Sequence, residues 1–182
     1  MSVALIGGLK LRKELFQPSI ESEARILLLI NAFTTRTKSL EGRTKLAKLD
    51  FLLRYPGFMQ RALAIRTSSQ VMEVAHEEQH NIEGRMIRYR YGPWDPSHYA
   101  ILGKLIGKGL VETASHNQGI SYRATTLGSD LAKKLGQEDS WQETSARIKL
   151  LKQYFDLSGS NLKNFIYEHF PEVTGASWGQ NL

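Results

Sequence analysis

A mainly α chain with one small β-hairpin is what this sequence predicts, on three observations. Apolar residues recur at three- and four-residue spacing through most of the chain, the mark of helices that bury one face. Two β-prone runs, 110–114 and 120–125, flank His116, Asn117, Gln118 and Gly119, and in the second Ile120, Tyr122 and Ala124 alternate with Ser121, Arg123 and Thr125. Glycine, proline and capping residues stand where the periodic stretches end. Over residues 85–135 the order is turn, short helix, hairpin, helix, the plan of a winged helix-turn-helix whose wing is the hairpin. The expected organisation is an arm at 1–17, a helical part at 18–80, the winged helix-turn-helix at 81–136, C-terminal helices at 137–173 and a tail at 174–182.

Each element has its own signal. The apolar start, MSVALIGGL, lacks the basic residues that precede a signal core and reads as an arm or edge strand. Ser19 caps a first helix with Glu21 and Glu23 in its opening turn, and the near-continuous apolar run 26–33 puts that helix at the centre of the core. A polar loop, 34–42, precedes a second helix with Leu46, Leu49, Leu52 and Leu53 buried and Lys45 and Lys48 on a different face. Tyr55, Pro56 and Gly57 end it, and a short helix from Phe58 to about Ile65 turns Met59, Ala62 and Leu63 inward. Residues 82–91 fit either a helix or a strand. Asp95 is placed to cap a helix opening at Pro96, on which Tyr99, Leu102 and Ile106, with Ile101 and Leu105, form the buried face until Gly107 and Gly109 stop it. Thr126 is the candidate cap of the next helix, where Leu127, Leu131 and Leu135 line up. Ser140 and Glu143 match a capping box, Trp141, Ile148, Leu151 and Phe155 mark the following buried face, and Leu162, Phe165, Ile166 and Phe170 mark the last one before Pro171.

Composition narrows the chemistry. The 182 residues include no cysteine, which excludes disulfides and thiolate metal sites and fits a reducing cytoplasm. No stretch reaches the roughly 18 apolar residues that cross a bilayer, so no membrane partner is expected. The net charge of +6 sits in one place: residues 36–66 hold Arg36, Lys38, Arg43, Lys45, Lys48, Arg54, Arg61 and Arg66 against Glu41 and Asp50, and the rest of the chain sums to zero. Such a cluster is a candidate phosphate-contacting face or the complement of an acidic partner; the alternative is a solvated helical surface. Lys38, Arg43, Lys45, Lys48 and Arg54, with Lys104 and Lys108 on the winged-domain helix and Arg123 on the wing, are the candidate contacts to nucleic acid or to an acidic partner.

One stretch imitates an enzyme. His76, Glu77 and His80 satisfy H-E-x-x-H, in which two histidines one helical turn apart grip zinc and the glutamate activates its water. A catalytic zinc needs a third protein ligand. The available ones, Glu83, Asp95, Glu112 and His116, form no second motif, and the flanks are polar and aperiodic. A solvated acidic segment is the better account, and His76 and His80 stand as weak metal candidates only. No glycine loop cradles phosphate, so neither a catalytic set nor a cofactor is expected. Arg88, Arg90, Tyr91 and Trp94 cluster around Gly92 and Pro93, either packing the approach to the winged helix or forming a partner interface.

Three segments, GRTKLAKLDFLLRYP at 42–56, MIRYRYGPWD at 86–95 and IYEHFP at 166–171, together resemble the small middle subunit of ABC-three-component systems, the group that includes Lamassu anti-phage defence. The resemblance spans about Glu23 to Val173, and the H-E-x-x-H histidines are not part of its pattern. It implies a non-enzymatic subunit that binds an SMC-like ATPase with coiled coils and, in some systems, a nuclease effector. Such a subunit bridges or braces the ATPase heads, so the basic cluster would face DNA on those heads or an acidic coiled-coil surface. The other reading of the same fold is a stand-alone transcriptional regulator with the helix at 96–108 in the major groove. That helix offers only His98, Lys104 and Lys108 to a groove.

Overall fold

The computed structural model describes residues 18–68, 87–89, 92–116, 119–175 and 177. In chain order these form α1 (Ile20–Phe33), β1 (Leu40–Glu41), α2 (Gly42–Arg54), α3 (Pro56–Thr67), β2 (Ile87–Tyr89), β3 (Gly92–Trp94), α4 (His98–Gly107), β4 (Val111–His116), β5 (Gly119–Ala124), α5 (Thr126–Leu135), α6 (Asp139–Tyr154), α7 (Gly159–His169) and α8 (Pro171–Thr174). The chain is mainly α with a small antiparallel sheet, as its periodicities predict.

The core is built on α1 and α2. Ser19 caps α1 by accepting the Ser22 N–H at 3.1 Å, and Ile26, Leu27, Leu28, Leu29, Ile30 and Phe33 are buried. In α2 every residue from Lys45 to Leu53 is buried, leaving the middle of the helix no polar face. Pro56 does more than end α2. It opens α3, where a missing N–H costs nothing, and Met59, Ala62 and Leu63 face inward. Ile148, Leu151, Phe155, Leu162, Ile166 and Phe170 close the core from α6 and α7, as their spacing implies.

The hairpin lies where the alternation puts it, from Val111 opposite Ala124 to His116 opposite Gly119. The polar loop at 34–42 contributes something the sequence reading lacks: Leu40 pairs with Tyr122 and Glu41 with Ser121, so β1 makes a third strand in the order β1-β5-β4. β2 and β3 pair separately, which settles 87–89 as strand.

Several boundaries move. Asp95 caps a turn and not the helix itself: its Oδ1 accepts the Ser97 N–H at 2.8 Å, and α4 begins at His98. The cap of α5 is Thr125, whose hydroxyl accepts from Gly128, so Thr126 is already helical. Helix α6 begins at Asp139 with Glu138 in the cap position and no side-chain cap, so Ser140 is already helical, and Glu143 pairs with Arg147. Past Pro171 the chain makes one more turn, α8, where Glu172 pairs with Arg61 of α3.

Two helices turn unexpected faces to solvent. On α4 the buried residues are His98, Ile101, Leu102 and Leu105, while Tyr99 and Ile106 stay outside. On α5 the buried residues are Gly128 and Ala132, and Leu127 is 61% exposed and Leu131 37%. The reason is distance. Gly128 lies so close to the Leu110 carbonyl that a Cβ there would sit 1.9 Å from its oxygen. The small residues bring α5 against the body, so Leu127 and Leu131 face solvent and only Leu135, at the end of the helix, packs against the core.

Candidate interaction surface

The basic cluster does not form one exposed face. Lys45 is buried with its Nζ 2.7 Å from Asp156 Oδ1, and Lys152 holds the other oxygen of the same carboxylate at 2.9 Å. Lys48 is buried and donates to the Pro93 carbonyl at 3.3 Å. Arg54 binds Asp95. These three candidate contacts therefore brace the fold. Burying an ammonium or guanidinium without a partner is prohibitive, so carboxylates and a carbonyl meet them inside. Lys104 and Lys108 extend back to Glu23 of α1 at 3.1 and 2.5 Å, with about half of each side chain still exposed. Arg123 donates to the Thr35 carbonyl at 2.7 Å, with Glu112 beside it. Of the predicted contacts, Lys38 and Arg43 remain at the surface with no carboxylate partner among the described residues. Lys38 sits in a tight turn in which its N–H donates to Thr35 Oγ1. The Arg43 guanidinium lies over the Tyr99 ring, 4.7 Å from its centroid.

Beneath this surface lies a charge network the sequence reading misses. Asp50 of α2 is fully buried, with Arg25 Nε of α1 and His98 Nε2 of α4 each 2.8 Å from its oxygens and Arg54 at 3.6 Å. Against an ionised carboxylate, which can only accept, His98 Nε2 is the donor. Burial alone would push the Asp50 carboxyl up; Arg25, the His98 hydrogen bond and Arg54 outweigh it and hold Asp50 far below the usual carboxylate range. For Asp95 too, burial opposes ionisation, and Arg54 and the Ser97 hydrogen bonds override it. The signal was available: Asp50 falls in the stripe Leu46, Leu49, Leu53, and His98 in the stripe Ile101, Leu102, Leu105.

The His98–Asp50 pair imitates half of a catalytic triad, but its side chains are 1% and 0% exposed, out of reach of a substrate. The network joins α1, α2 and α4 and fixes the platform that carries the outer surface. Because both folded-state pKa values are depressed, the stability these carboxylates add is complete above their unfolded value near pH 4 and is lost as pH falls below it. Urea unfolding at a series of pH values should show this loss, and Asp50→Asn should flatten the acid limb. An unchanged limb would show that Asp50 is not the group responsible.

The outer surface carries apolar side chains among charged ones. Seven large apolar side chains are exposed among the described residues, and five of them, Tyr99, Ile106, Ile120, Leu127 and Leu131, belong to α4, the hairpin and α5. At about 100° per residue, the side of α4 opposite its buried stripe carries Ala100, Gly103 and Gly107. Tyr99 and Ile106 flank that strip on one side, Lys104 and Lys108 on the other. The hairpin adjoins the Tyr99 end: a Cβ at Gly42 would lie 4.0 Å from the Ile120 carbonyl, and Arg43 is close enough to Tyr122 to oppose the upward push of burial on its hydroxyl.

Of the expected partner interface, Arg88 lies on β2 and Trp94 on β3, while Arg90 and Tyr91 lie outside the described residues. So do His76 and His80. Among the described residues no three His, Asp or Glu side chains come together to hold a metal, and no helix is long and apolar enough to cross a membrane. Comparison with protein families, with curated proteins and with solved structures gives no match.

Proposed function

We propose that this chain is a non-catalytic accessory subunit that uses a winged helix-turn-helix to dock on a larger protein. The observation that carries the reading is that five of the seven large apolar side chains exposed among the described residues lie on α4, the hairpin and α5, because apolar side chains gathered on neighbouring elements and left in solvent favour an interface. The order α1, β1, α2, then α4, β4, β5, with β1 as third strand, supports the winged-helix description. The resemblance of 42–56, 86–95 and 166–171 to the middle subunit of ABC-three-component systems supplies the partner: an SMC-like ATPase with coiled coils, whose heads the chain bridges or braces while that ATPase senses DNA and controls a nuclease effector in the cytoplasm.

A regulator that reads DNA is less well supported. The exposed side of α4 holds no arginine, asparagine or glutamine, the side chains that bind base edges two atoms at a time. Arg36, Lys38 and Arg43 can still touch DNA held on the partner, through phosphate contacts blind to sequence.

Co-expression with an SMC-like ATPase of the ABC-three-component type, the partner the resemblance supplies, tests the proposal. The wild-type chain should co-purify with the ATPase, and Ile106→Glu combined with Leu131→Glu should release it while its far-UV circular dichroism is unchanged. Retention of the double variant at wild-type yield would remove this surface from the interface.

A further inference from the structure

We propose that the outer side of α4 seats one helix of the partner protein, an amphipathic α-helix whose apolar stripe is flanked by carboxylates. This rests on the accessory-subunit reading and adds the chemistry of the docking element. The face has a floor and two walls. Ala100, Gly103 and Gly107 form the floor, where one methyl and two bare Cα atoms let a second backbone come close. Among the described residues nothing uses that space: a Cβ at Gly103 or Gly107 would meet no atom within 4 Å. Tyr99 and Ile106, 58% and 40% exposed, make an apolar wall suited to a helix laid in a groove.

Charge sets the sign of the partner. The opposite wall is Lys104 and Lys108, and Arg43 stands at the Tyr99 end. Glu23 is the carboxylate that touches the two lysines, and it is itself buried. One carboxylate between two ammonium groups, with none on Arg43 among the described residues, leaves the rim positive. A helix with glutamates or aspartates beside its apolar stripe matches both wall and rim. Nucleic acid matches the rim alone, since the floor and the apolar wall offer few donors to phosphates or base edges.

The full chain, co-expressed with the ATPase, is the material for the test. Gly103→Ala combined with Gly107→Ala should raise the melting temperature of the free chain, because alanine is the better helix former and finds open space. The same pair should weaken the complex about tenfold by filling the floor. Arg43→Glu should also weaken it about tenfold, with Arg43→Lys restoring most of the loss. A benzophenone photocrosslinker in place of Ile106 should attach to a helical segment of the ATPase rich in glutamate or aspartate. Wild-type affinity in the glycine and arginine variants, or crosslinks to nucleic acid or to a non-acidic segment, would overturn this inference and leave the accessory reading standing on the complex itself. Absence of any complex with the wild-type chain would overturn both.

Discussion

Asp50→Ala is expected to destabilise the chain by about 3–5 kcal/mol, the cost of leaving buried charge uncompensated. The substitution leaves the Arg25 and Arg54 guanidiniums, 12% and 9% exposed, without their shared carboxylate, and takes the Nε2 acceptor from His98. Three helices meet at that carboxylate, so the loss falls on the folding of the whole core. Asp50→Asn should recover only a small part of it, since an amide keeps the shape and one acceptor but not the charge. Equilibrium urea unfolding at pH 7 reads the effect. A loss under about 1 kcal/mol would mean that water replaces the carboxylate, and the network would then not be the brace described here.

Gly128→Ala is expected to cost about 2–3 kcal/mol, in the direction opposite to the usual gain of alanine over glycine inside a helix. The new Cβ would stand 1.9 Å from the Leu110 carbonyl oxygen and 2.8 Å from its carbon, both rigid backbone. Relief requires α5 to lift from the chain between α4 and β4, where Thr125 also anchors it through its N–H to Leu110. For a chain of this size the melting temperature should fall by roughly 2–4 °C per kcal/mol. A rise would show that α5 is not seated on Leu110.

The helices and the hairpin were legible because burial imposes a period of 3.6 on one and 2 on the other, and the leucines of α2 and the alternation of β5 are plain in the sequence. Periodicity reports that a face is apolar without saying what covers it. Leu127 and Leu131 therefore look like core, although Gly128 and Ala132 occupy the core side and of the three leucines in line only Leu135 packs against it. The same limit hides the fate of the lysines. Lys45 and Lys48 read as a polar face until Asp156, 111 residues from Lys45, and the Pro93 carbonyl are brought to them by folding. Pairings that distant leave no local trace. Asp50 and His98 did leave one, as polar residues placed inside apolar stripes. Boundary shifts of one or two residues, Thr125 for Thr126 as cap and His98 for Pro96 as helix start, follow from turn geometry that neighbouring candidates satisfy almost equally well.

The central claim is that this chain acts by binding a larger protein and performs no reaction itself. The most direct measurement is the mass of the particle that elutes when the chain is co-expressed with the proposed SMC-like ATPase, by light scattering coupled to size exclusion. The account expects one stoichiometric complex containing both chains, with no free small subunit at equal expression. A chain that elutes alone at its own mass beside an intact ATPase would contradict it.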